Sequence, residues 1–456
     1  MQVQTIETPQ LGDRSYLVHD GEVAVVVDPQ RDLDRVLAEI ERAGVRVTHV
    51  VETHIHNDYV SGGLELARET GAQYVVAAGD EVAFERRAVG DGDSWTTGNL
   101  QVTVLATPGH TVHHLAYLIE DPAAEEQAVF SGGNLLYGSV GRTDLVDPAR
   151  TDELTRKQYR SARMLADRLS PATLVYPTHG FGSFCSSGPA TVKDVSTIGE
   201  QQATNNALTT DDEDAFVRDL VAGLAAYPRY YAHMGPLNKS GAGPVELDPP
   251  TDLDANELRA RLEEGLWVVD LRDRKAYAAG HMKGSLSFEL ADNFTTYVGW
   301  VLPWDEPIVL VGDSAGQVGE AQRDLARIGI DRSRLVAAAT GPVESLANGN
   351  LSSYPAVRWE ELQKAMATDA ESPVVVDVRR EDEFASGHIE GASNLPIHDL
   401  LQRLDDAPEG RLWIHCGSGY RAAIAASILE RAGHDVIHVD DDWDRASEVG
   451  LPIMDA

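Results

Sequence analysis

The sequence predicts an α/β protein built from three domains. A chain of 456 residues has room for about three domains of typical size, each with its own hydrophobic core. Its second half contains two copies of one pattern, in which an apolar strand leads into a loop and then into a helix rich in alanine and leucine. Its first half places histidines directly after apolar strands. We therefore expect one metal-binding domain followed by two related α/β domains.

The first element that suggests chemistry is a histidine-rich turn after the apolar strand at residues 47–51. Alternate residues of an extended turn share one face, so His54 and His56 can converge on one ion. Asp58 continues the same spacing and can reach across to a second ion. This pattern favours a metal site over an ordinary polar loop.

Two more histidines follow strands at turns with glycine or proline, where the backbone can bend towards an ion. His110 follows the strand at 100–105, and His179 follows the strand at 172–175. A metal site needs at least three protein ligands, so these histidines are the expected partners of the first motif.

Together these motifs resemble the metallo-β-lactamase superfamily, whose pattern is His-x-His-x-Asp-His, a later histidine, an aspartate that bridges two ions and a final histidine. The resemblance implies an αββα fold for the first domain, predicted over residues 1–247. Two positions depart from the pattern. Tyr59 stands where the first motif has its last histidine, and Gly133 stands where the bridging aspartate belongs.

These departures limit the metal content that we expect. His54, His56 and His110 remain as a three-histidine set that can hold one ion with open positions. Asp58 and His179 alone rarely retain a second ion. Tyr59 could bind only as a phenolate, which requires a strong Lewis acid beside it. The expectation is one Fe(II) or Zn(II) at most, and a site without metal stays an alternative.

Satellite motifs in the first half resemble those of the persulfide dioxygenases, the iron branch of this superfamily. In that family the positions of His54, His110 and residue 133 hold one Fe(II), so Gly133 leaves the triad incomplete. The resemblance implies O₂-dependent oxidation of a persulfide to sulfite. The satellite motifs are 140–144, 196–200 with Thr204 and Asn205, and 231–234 with Leu237 and Asn238.

The internal repeat occupies the predicted domains 251–350 and 356–456. Its Asp-x-Arg segment at 268–272 recurs at 375–379, and its Gly-His-x-x-Gly segment at 280–284 recurs at 387–391. Stretches rich in proline or glycine, at 237–250 and 348–355, are expected to separate the domains. These motifs resemble rhodanese domains, and the resemblance implies two α/β domains built around parallel sheets.

The second copy carries the best candidate for catalysis, Cys416. It ends a buried strand and begins a six-residue loop that closes with Arg421. The amides of such a loop and the following helix N-terminus stabilise an anion, either a thiolate or the terminal sulfur of a persulfide. Arg421 can bind an anionic donor. The remaining residues of the expected persulfide loop are Gly417, Ser418, Gly419 and Tyr420.

The first copy has Asp313 at the position of Cys416, and no arginine closes its loop. A carboxylate cannot carry a persulfide, so we expect this copy to be non-catalytic. The other cysteine, Cys185, is interpreted as a half-buried thiol, with a sulfur-accepting role as the alternative. His113 and His114 follow the turn of His110 and are interpreted as hydrogen-bonded loop residues, with support of the metal site as the alternative.

Composition argues against several partners and locations. A net charge of −35 disfavours binding to nucleic acid or to an anionic membrane. No segment approaches the roughly 18 apolar residues of a membrane-spanning helix. Two cysteines give no disulfide framework, and the first residues lack a signal-peptide pattern, so we expect a cytoplasmic protein. A homo-oligomer stays open.

Three functions fit the sequence. The favoured one is persulfide and sulfane-sulfur metabolism, with sulfur transfer from thiosulfate or a low-molecular-weight thiol persulfide through Cys416 and a persulfide dioxygenase-like first domain. The second is a mononuclear zinc hydrolase of the thioesterase type, fused to a rhodanese. The third is a rhodanese whose first domain is a metal-free scaffold.

Overall fold

A computed structural model describes residues 1–189, 191, 193–368 and 373–454. Contacts divide the chain into two compact units. The first comprises Met1–Val245 with Ala326–Gly329, and the second comprises Glu246–Leu325 with Ile330–Ala456.

The first sheet of the first unit has six strands that pair in the order of the sequence. Its first three strands are antiparallel, and each later strand pairs in parallel with the strand before it. The elements are β1 (Gln2–Thr8), β2 (Asp13–His19), β3 (Val23–Val27), α1 (Leu33–Ala43), β4 (Arg46–Val51), α2 (Gly63–Thr70), β5 (Gln73–Ala77) and β6 (Arg87–Val89).

The second sheet has six strands, in the order β12-β11-β10-β9-β8-β7. The strands are β7 (Ser94–Thr97), β8 (Leu100–Ala106), β9 (Leu115–Asp121), β10 (Glu126–Gly132), β11 (Leu174–Pro177) and β12 (Ser196–Thr197). A 3₁₀ turn (Pro148–Arg150) precedes the helices of this half, which are α3 (Thr151–Arg168), α4 (Ile198–Thr204), α5 (Asn206–Thr209), α6 (Glu213–Ala222) and α7 (Tyr231–Ser240).

The first unit is a sandwich, because alternate residues of each sheet point to opposite faces. Val18 of β2 packs in one buried cluster with Val102 of β8, which places the two sheets face to face. Its neighbour Leu17 packs with Val36 of α1 on the outer face. The outer face of the second sheet packs in the same way against α3. The αββα architecture predicted for the first domain is therefore confirmed.

The first repeat forms a parallel five-stranded sheet in the order β13-β18-β17-β14-β16, with β15 and β19 paired separately. Its elements are β13 (Thr251–Asp252), α8 (Ala255–Glu263), β14 (Trp267–Asp270), α9 (Arg274–Ala279), β15 (His281–Met282), β16 (Leu286–Ser287), α10 (Phe294–Val301), β17 (Ile308–Gly312), α11 (Ala315–Arg327), β18 (Leu335–Thr340), α12 (Val343–Ala347) and β19 (Leu351–Ser352).

The second repeat has the same topology, in the order β20-β25-β24-β21-β23, with β22 and β26 paired separately. Two 3₁₀ turns (Leu400–Gln402 and Leu404–Asp406) precede β24. The other elements are β20 (Ala356–Val357), α13 (Trp359–Thr368), β21 (Val374–Asp377), α14 (Glu381–Ala385), β22 (His388–Ile389), β23 (Ser393–Asn394), β24 (Arg411–His415), α15 (Tyr420–Arg431), β25 (Asp435–Val439), α16 (Asp444–Glu448) and β26 (Ile453–Met454). Two related α/β domains are therefore confirmed.

The predicted separators are partly structured. Residues 237–240 form the end of α7, which continues past Pro236, and Leu351–Ser352 form β19. Tertiary contacts outweigh the local composition here, because Asn238 is buried against the histidine motif. Its Nδ2 donates to the carbonyls of His56 and Tyr59. The domain limits at 247, 251, 350 and 356 stay predictions.

The strand ends position the candidate residues. The histidine motif follows β4, His110 follows β8, and His179 follows β11. Cys416 follows β24 at the carboxyl edge of a parallel sheet, where loops of α/β folds present functional groups. No helix among the described residues is both long and apolar enough to span a membrane.

Candidate functional site

Cys416 is buried between the end of β24 and the start of α15, with 1% of its surface exposed. The sequence suggested that Arg421 precedes the helix. The helix instead begins at Tyr420, so Arg421 lies in its first turn. Gly419 precedes the helix with φ of +86°, and a Cβ there would lie 2.1 Å from Asp440 Oδ1. Only glycine fits this close approach, which sets the loop beside the unpaired N–H groups of the helix N-terminus.

The guanidinium of Arg421 is held by a carboxylate from α14. Its Nη1 and Nη2 donate to Glu383 Oε2 and Oε1 at 2.6 and 2.8 Å. Burial alone would lower the pKa of Arg421, but the bidentate pair with Glu383 raises it. Arg421 is thus held as a fixed cation at the end of the Cys416 loop.

The first repeat braces this loop. Tyr420 Oη donates to the carbonyl of Glu289 at 2.9 Å. Arg274 donates to the Glu289 carboxylate and to Asp440 Oδ1, both at 2.6 Å. Asp440 in turn lies against Gly419. Arg274 and Glu289 of the first repeat therefore support the loop of the second repeat.

In the first repeat, the side chain of Gln317 occupies the loop that corresponds to the Cys416 loop. Asp313 is exposed, whereas Cys416 is buried. The Asp313 N–H donates to Gln317 Oε1 at 2.8 Å, and Gln317 Nε2 donates to the carbonyl of Leu271 at 3.0 Å. The glutamine amide thus takes an N–H group that could otherwise bind an anion.

The Asp-x-Arg motifs have a structural role in both copies. Arg272 forms a buried pair with Asp270 and donates to the carbonyl of Gly280 at 3.0 Å. Arg379 and Asp377 repeat the arrangement with the carbonyl of Gly387 at 2.7 Å. The motif therefore joins β14 of the first repeat and β21 of the second to the Gly-His-x-x-Gly turn that follows each strand.

A buried histidine cluster lies where β4, β8 and β11 end. One ring nitrogen from each of His54, His110 and His179 lies within 4.8 Å of the other two. Burial lowers the pKa of His110 to about 3 and that of His54 well below its usual value, so both rings are neutral, the form that binds metal. His110 Nε2 is buried and has no hydrogen-bonding partner within the described residues. This donor set fits a metal ion.

Each ring of the cluster is oriented through Nδ1. His110 Nδ1 donates to the carbonyl of Arg142 at 2.7 Å. His179 Nδ1 lies 2.8 Å from Asp13 Oδ1. His54 Nδ1 lies 2.9 Å from the hydroxyl of Thr53. Acceptors on Nδ1 fix the tautomer that leaves Nε2 free to bind metal.

Family comparisons agree with this arrangement. The metallo-beta-lactamase superfamily matches residues 12–179, and the rhodanese-like domain matches 254–338 and 359–448. The hydroxyacylglutathione hydrolase of Acidiphilium cryptum is 32% identical over 176 residues, which cover 38% of this chain and 67% of that relative. The chain belongs to the metallo-beta-lactamase superfamily. The hydroxyacylglutathione hydrolase of Methylococcus capsulatus is 35% identical over 145 residues, 31% of this chain and 55% of that relative. The chain thus spans about half to two thirds of these relatives.

One solved structure extends the similarity beyond the lactamase-fold domain. A metallo-beta-lactamase from Staphylococcus aureus matches 75% of this chain and 99% of its own, with a TM-score of 0.66 and 26% identity. ETHE1 from Myxococcus xanthus matches 53% of this chain and 100% of its own, with a TM-score of 0.46 and 26% identity. The first of these matches is longer than the lactamase-fold domain itself.

At the first departure from the superfamily pattern, Gly133 makes room for His110. A Cβ at position 133 would lie 2.2 Å from His110 Cδ2. The N–H of Gly133 donates to His114 Nε2 at 2.9 Å, so His114 is engaged in holding the turn. Any larger residue at 133 therefore requires the His110 ring to move.

At the second departure, Tyr59 lies beside a buried ion pair. Tyr59 Oη is 3.0 Å from His56 Nε2, which is 3.3 Å from both Asp28 and Glu52. Burial alone would lower the pKa of His56, but the two carboxylates raise it to about 9. Burial also raises the pKa of Tyr59 well above its usual value, which disfavours a phenolate ligand.

The structure therefore groups the candidate ligands differently from the set His54, His56 and His110 that the sequence predicted. It brings His54 and His110 together with His179, and it groups His56 with Asp58 and His179, or with Asp28 and Glu52. Sequence reasoning missed the carboxylates of Asp13, Asp28 and Glu52. Asp28 and Glu52 directly follow β3 and β4, and that position at strand ends is the signal that could have identified them.

Cys185 is fully buried and not half-buried as expected. Burial raises the pKa of its thiol well above the usual value, which makes it a poor nucleophile. Of the two histidines after His110, His114 is buried in the turn, whereas His113 is exposed.

A cavity of about 650 Å³ opens beside the histidine cluster. It is formed by neighbours of the ligand histidines and by α7. Lys239 and Arg150 contribute positive charge, and Asp80 and Glu81 contribute negative charge. The cavity thus offers groups of both signs to a small molecule.

Proposed function

We propose that the protein transfers sulfane sulfur through a persulfide formed on Cys416. The difference between two loops of the same topology supports this proposal. The second repeat presents a buried thiol followed by Arg421, whereas the first presents Asp313 and fills its loop with Gln317. Only the Cys416 loop combines a sulfur nucleophile with a fixed cation.

In the first half-reaction, the Cys416 thiolate attacks the outer sulfur of a donor such as thiosulfate. A sulfur–sulfur bond forms at Cys416, the bond within the donor breaks, and sulfite leaves with its electron pair. A nucleophile such as cyanide or a thiol then attacks the terminal sulfur and returns the electron pair to Cys416. Arg421 binds the anionic end of the donor, and the N–H groups at the start of α15 stabilise charge on sulfur.

The donors we propose are thiosulfate and low-molecular-weight thiol persulfides, because both present an outer sulfur on an anion. Arg421 recognises the charge and not the carrier. A direct comparison of the two donors will show which one the loop prefers.

The test compares the two cysteines. Cys416→Ser should abolish sulfur transfer from thiosulfate to cyanide, and mass spectrometry should show one added sulfur on parent Cys416 but none on the variant. Cys185→Ser is the matched control, because that thiol is buried within the lactamase-fold domain and burial raises its pKa, and it should retain parental turnover. Parental turnover by Cys416→Ser would refute the assignment.

For the lactamase-fold domain, we propose a single-metal centre at the histidine cluster, with persulfide oxidation as its activity. Two satellite residues shared with the persulfide dioxygenase pattern support this. Arg142 orients His110 through its carbonyl, and Asn238 holds the backbone of the histidine motif. A divalent ion bound there would supply a Lewis acid with open coordination positions. Lys239 and Arg150 would bind the carrier of the persulfide in the adjacent cavity.

Thioester hydrolysis is the second candidate, because relatives of this domain are named hydroxyacylglutathione hydrolases. The purified full chain should be analysed for iron and zinc and then assayed for O₂ uptake with a thiol persulfide and for hydrolysis of a hydroxyacylglutathione. Iron with O₂ uptake supports persulfide oxidation. Zinc with hydrolysis alone supports the second candidate, and a metal-free chain without either activity favours a scaffold.

A further inference from the structure

We propose that His54, His110 and His179 form one centre for a divalent transition metal ion, and that His56 takes no part in it. This rests on the single-metal proposal and adds its ligand set. His179 would replace the carboxylate that is missing at position 133. Imidazole nitrogens suit zinc and iron, which keeps both metals open.

The nitrogen positions match one shared ion. His54 Nε2 and His179 Nε2 lie 3.3 Å apart. Two nitrogens bound at about 2.0–2.1 Å in a tetrahedral site lie about 3.3 Å apart. If His54 and His179 instead shared a hydrogen bond between their Nε2 atoms, His110 Nε2 would stay buried without a partner, which is costly. An ion bound by all three rings would pair that nitrogen, and one ring nitrogen of each histidine lies within 4.8 Å of the other two.

The hydrogen bonds at Nδ1 fix which nitrogen of each histidine faces the metal centre. The Thr53 hydroxyl donates to Asp28 Oδ2 at 2.7 Å, so its oxygen is available to accept from His54 Nδ1–H. The carbonyl of Arg142 and the carboxylate of Asp13 can only accept. All three rings therefore carry their proton on Nδ1 when bound to metal, with Nε2 facing the centre.

His56 is excluded by its own partners. Its Nε2 contacts Asp28, Glu52 and Tyr59. Within the described residues, no ligand group combines it with both His54 and His110. The group that it forms with Asp58 needs His179 as well, whose Nδ1 is already held by Asp13. An ion in that group would therefore share His179 with the first, and the remaining group joins His56 to Asp28 and Glu52, without His54 or His110.

The test uses two matched histidine variants of the full-length chain, stripped of metal with a chelator and titrated with Zn²⁺ by calorimetry. The parent should bind about one ion. His179→Gln should lower the Zn²⁺ affinity by at least about 100-fold, whereas His56→Gln should stay within about threefold of the parent. Circular dichroism checks that each variant is folded, because both positions are buried.

A second pair of variants keeps every histidine and changes only the carboxylates beside them. Asp13 orients His179, and Glu52 contacts His56. Asp13→Asn should lower the Zn²⁺ affinity about 10–100-fold, and Glu52→Gln should leave it unchanged. If the Glu52 or His56 variant lost Zn²⁺ affinity and the Asp13 and His179 variants kept it, the ligand set would be overturned while the single-metal proposal would stand. A parent that binds no Zn²⁺ and contains no iron would overturn both.

Discussion

Gly133 and His110 compete for one space, and this links the missing aspartate to the position of a metal ligand. The ring of His110 lies between Gly133 and Gly141, and a Cβ on Gly141 would also lie 2.7 Å from His110 Nδ1. An aspartate at 133 could not enter while His110 holds this position. The glycine is thus part of the geometry of the cluster and not merely a lost ligand.

We predict that Gly133→Ala destabilises the lactamase-fold domain by about 1–3 kcal/mol, because the added methyl overpacks the His110 ring. Its Zn²⁺ affinity should fall by at least tenfold, or about 1.4 kcal/mol. Thermal unfolding of the metal-free protein and a zinc titration measure the two effects. Gly90→Ala is the control, since nothing lies within 4 Å of a Cβ there. Equal behaviour of the two variants would contradict the crowding at position 133.

The clustered histidines were predictable as residue types but not as a set. His54, His110 and His179 all follow apolar strands, and that position identified them from the sequence. The choice between His56 and His179 depends on Asp13 and Asp28, which lie far from their partners in the chain. Single-sequence spacing does not show which ring each carboxylate orients.

At the scale of elements, the repeat allowed both copies to be predicted as α/β domains built around parallel sheets. The separators were less predictable, because Pro236 and the following residues resemble a linker. Asn238 turns this segment into a helix end by bonding to the histidine motif. The brace from the first repeat to the Cys416 loop was also missed, since it joins Arg274 to Asp440 across 166 residues.

The contact of Arg274 with Asp440 predicts a role for the first repeat in sulfur transfer. Arg274→Gln should lower the kcat/KM of sulfur transfer about tenfold, because the loop loses its support through Asp440 and Gly419 while Cys416 and Arg421 remain. The rate of Cys416 alkylation by iodoacetamide across a pH series reports the change in the loop, which a purely structural role would leave unmoved. Arg274→Lys should restore part of the activity.

Arg431→Gln is the matched control for that prediction. Arg431 also joins the repeats, donating to the carbonyls of Gly284 and Gly265, but it does not contact the loop. Its variant should keep parental kcat/KM. An equal loss in both variants would show that general weakening of the repeats, and not the brace, affects the loop.

The loss of stability caused by Arg274→Gln should depend on pH. Burial alone would raise the pKa of Asp440, but Arg274 and His438 lower it below the usual value of an aspartate. A lowered pKa stabilises the fold above about pH 4, and this contribution disappears as the pH falls through the lower folded value. The melting-temperature difference between the parent and Arg274→Gln should therefore be full at pH 7 and shrink on acidification below pH 4.

The charge of the whole chain sets its response to salt. It carries 73 acidic residues against 38 lysines and arginines, a net charge of −35. Many exposed carboxylates are paired, as Asp214 is with Arg156, and salt weakens such pairs. The excess negative charge repels itself over longer distances, and the folded state concentrates it. With so large an excess, screening of the repulsion should outweigh the loss of surface pairs.

We predict that the melting temperature at pH 7 rises by several degrees between about 10 mM and 0.5 M NaCl, as the Debye length falls from about 30 Å to a few ångströms. Differential scanning fluorimetry provides the measurement. The internal control is pH, because the net charge vanishes near the sequence pI of 4.7. The gain should shrink as the pH approaches that value, since little repulsion is left to screen. A gain of equal size at both pH values would indicate a general effect of salt on apolar burial, and a fall in melting temperature at pH 7 would mean that the surface ion pairs dominate.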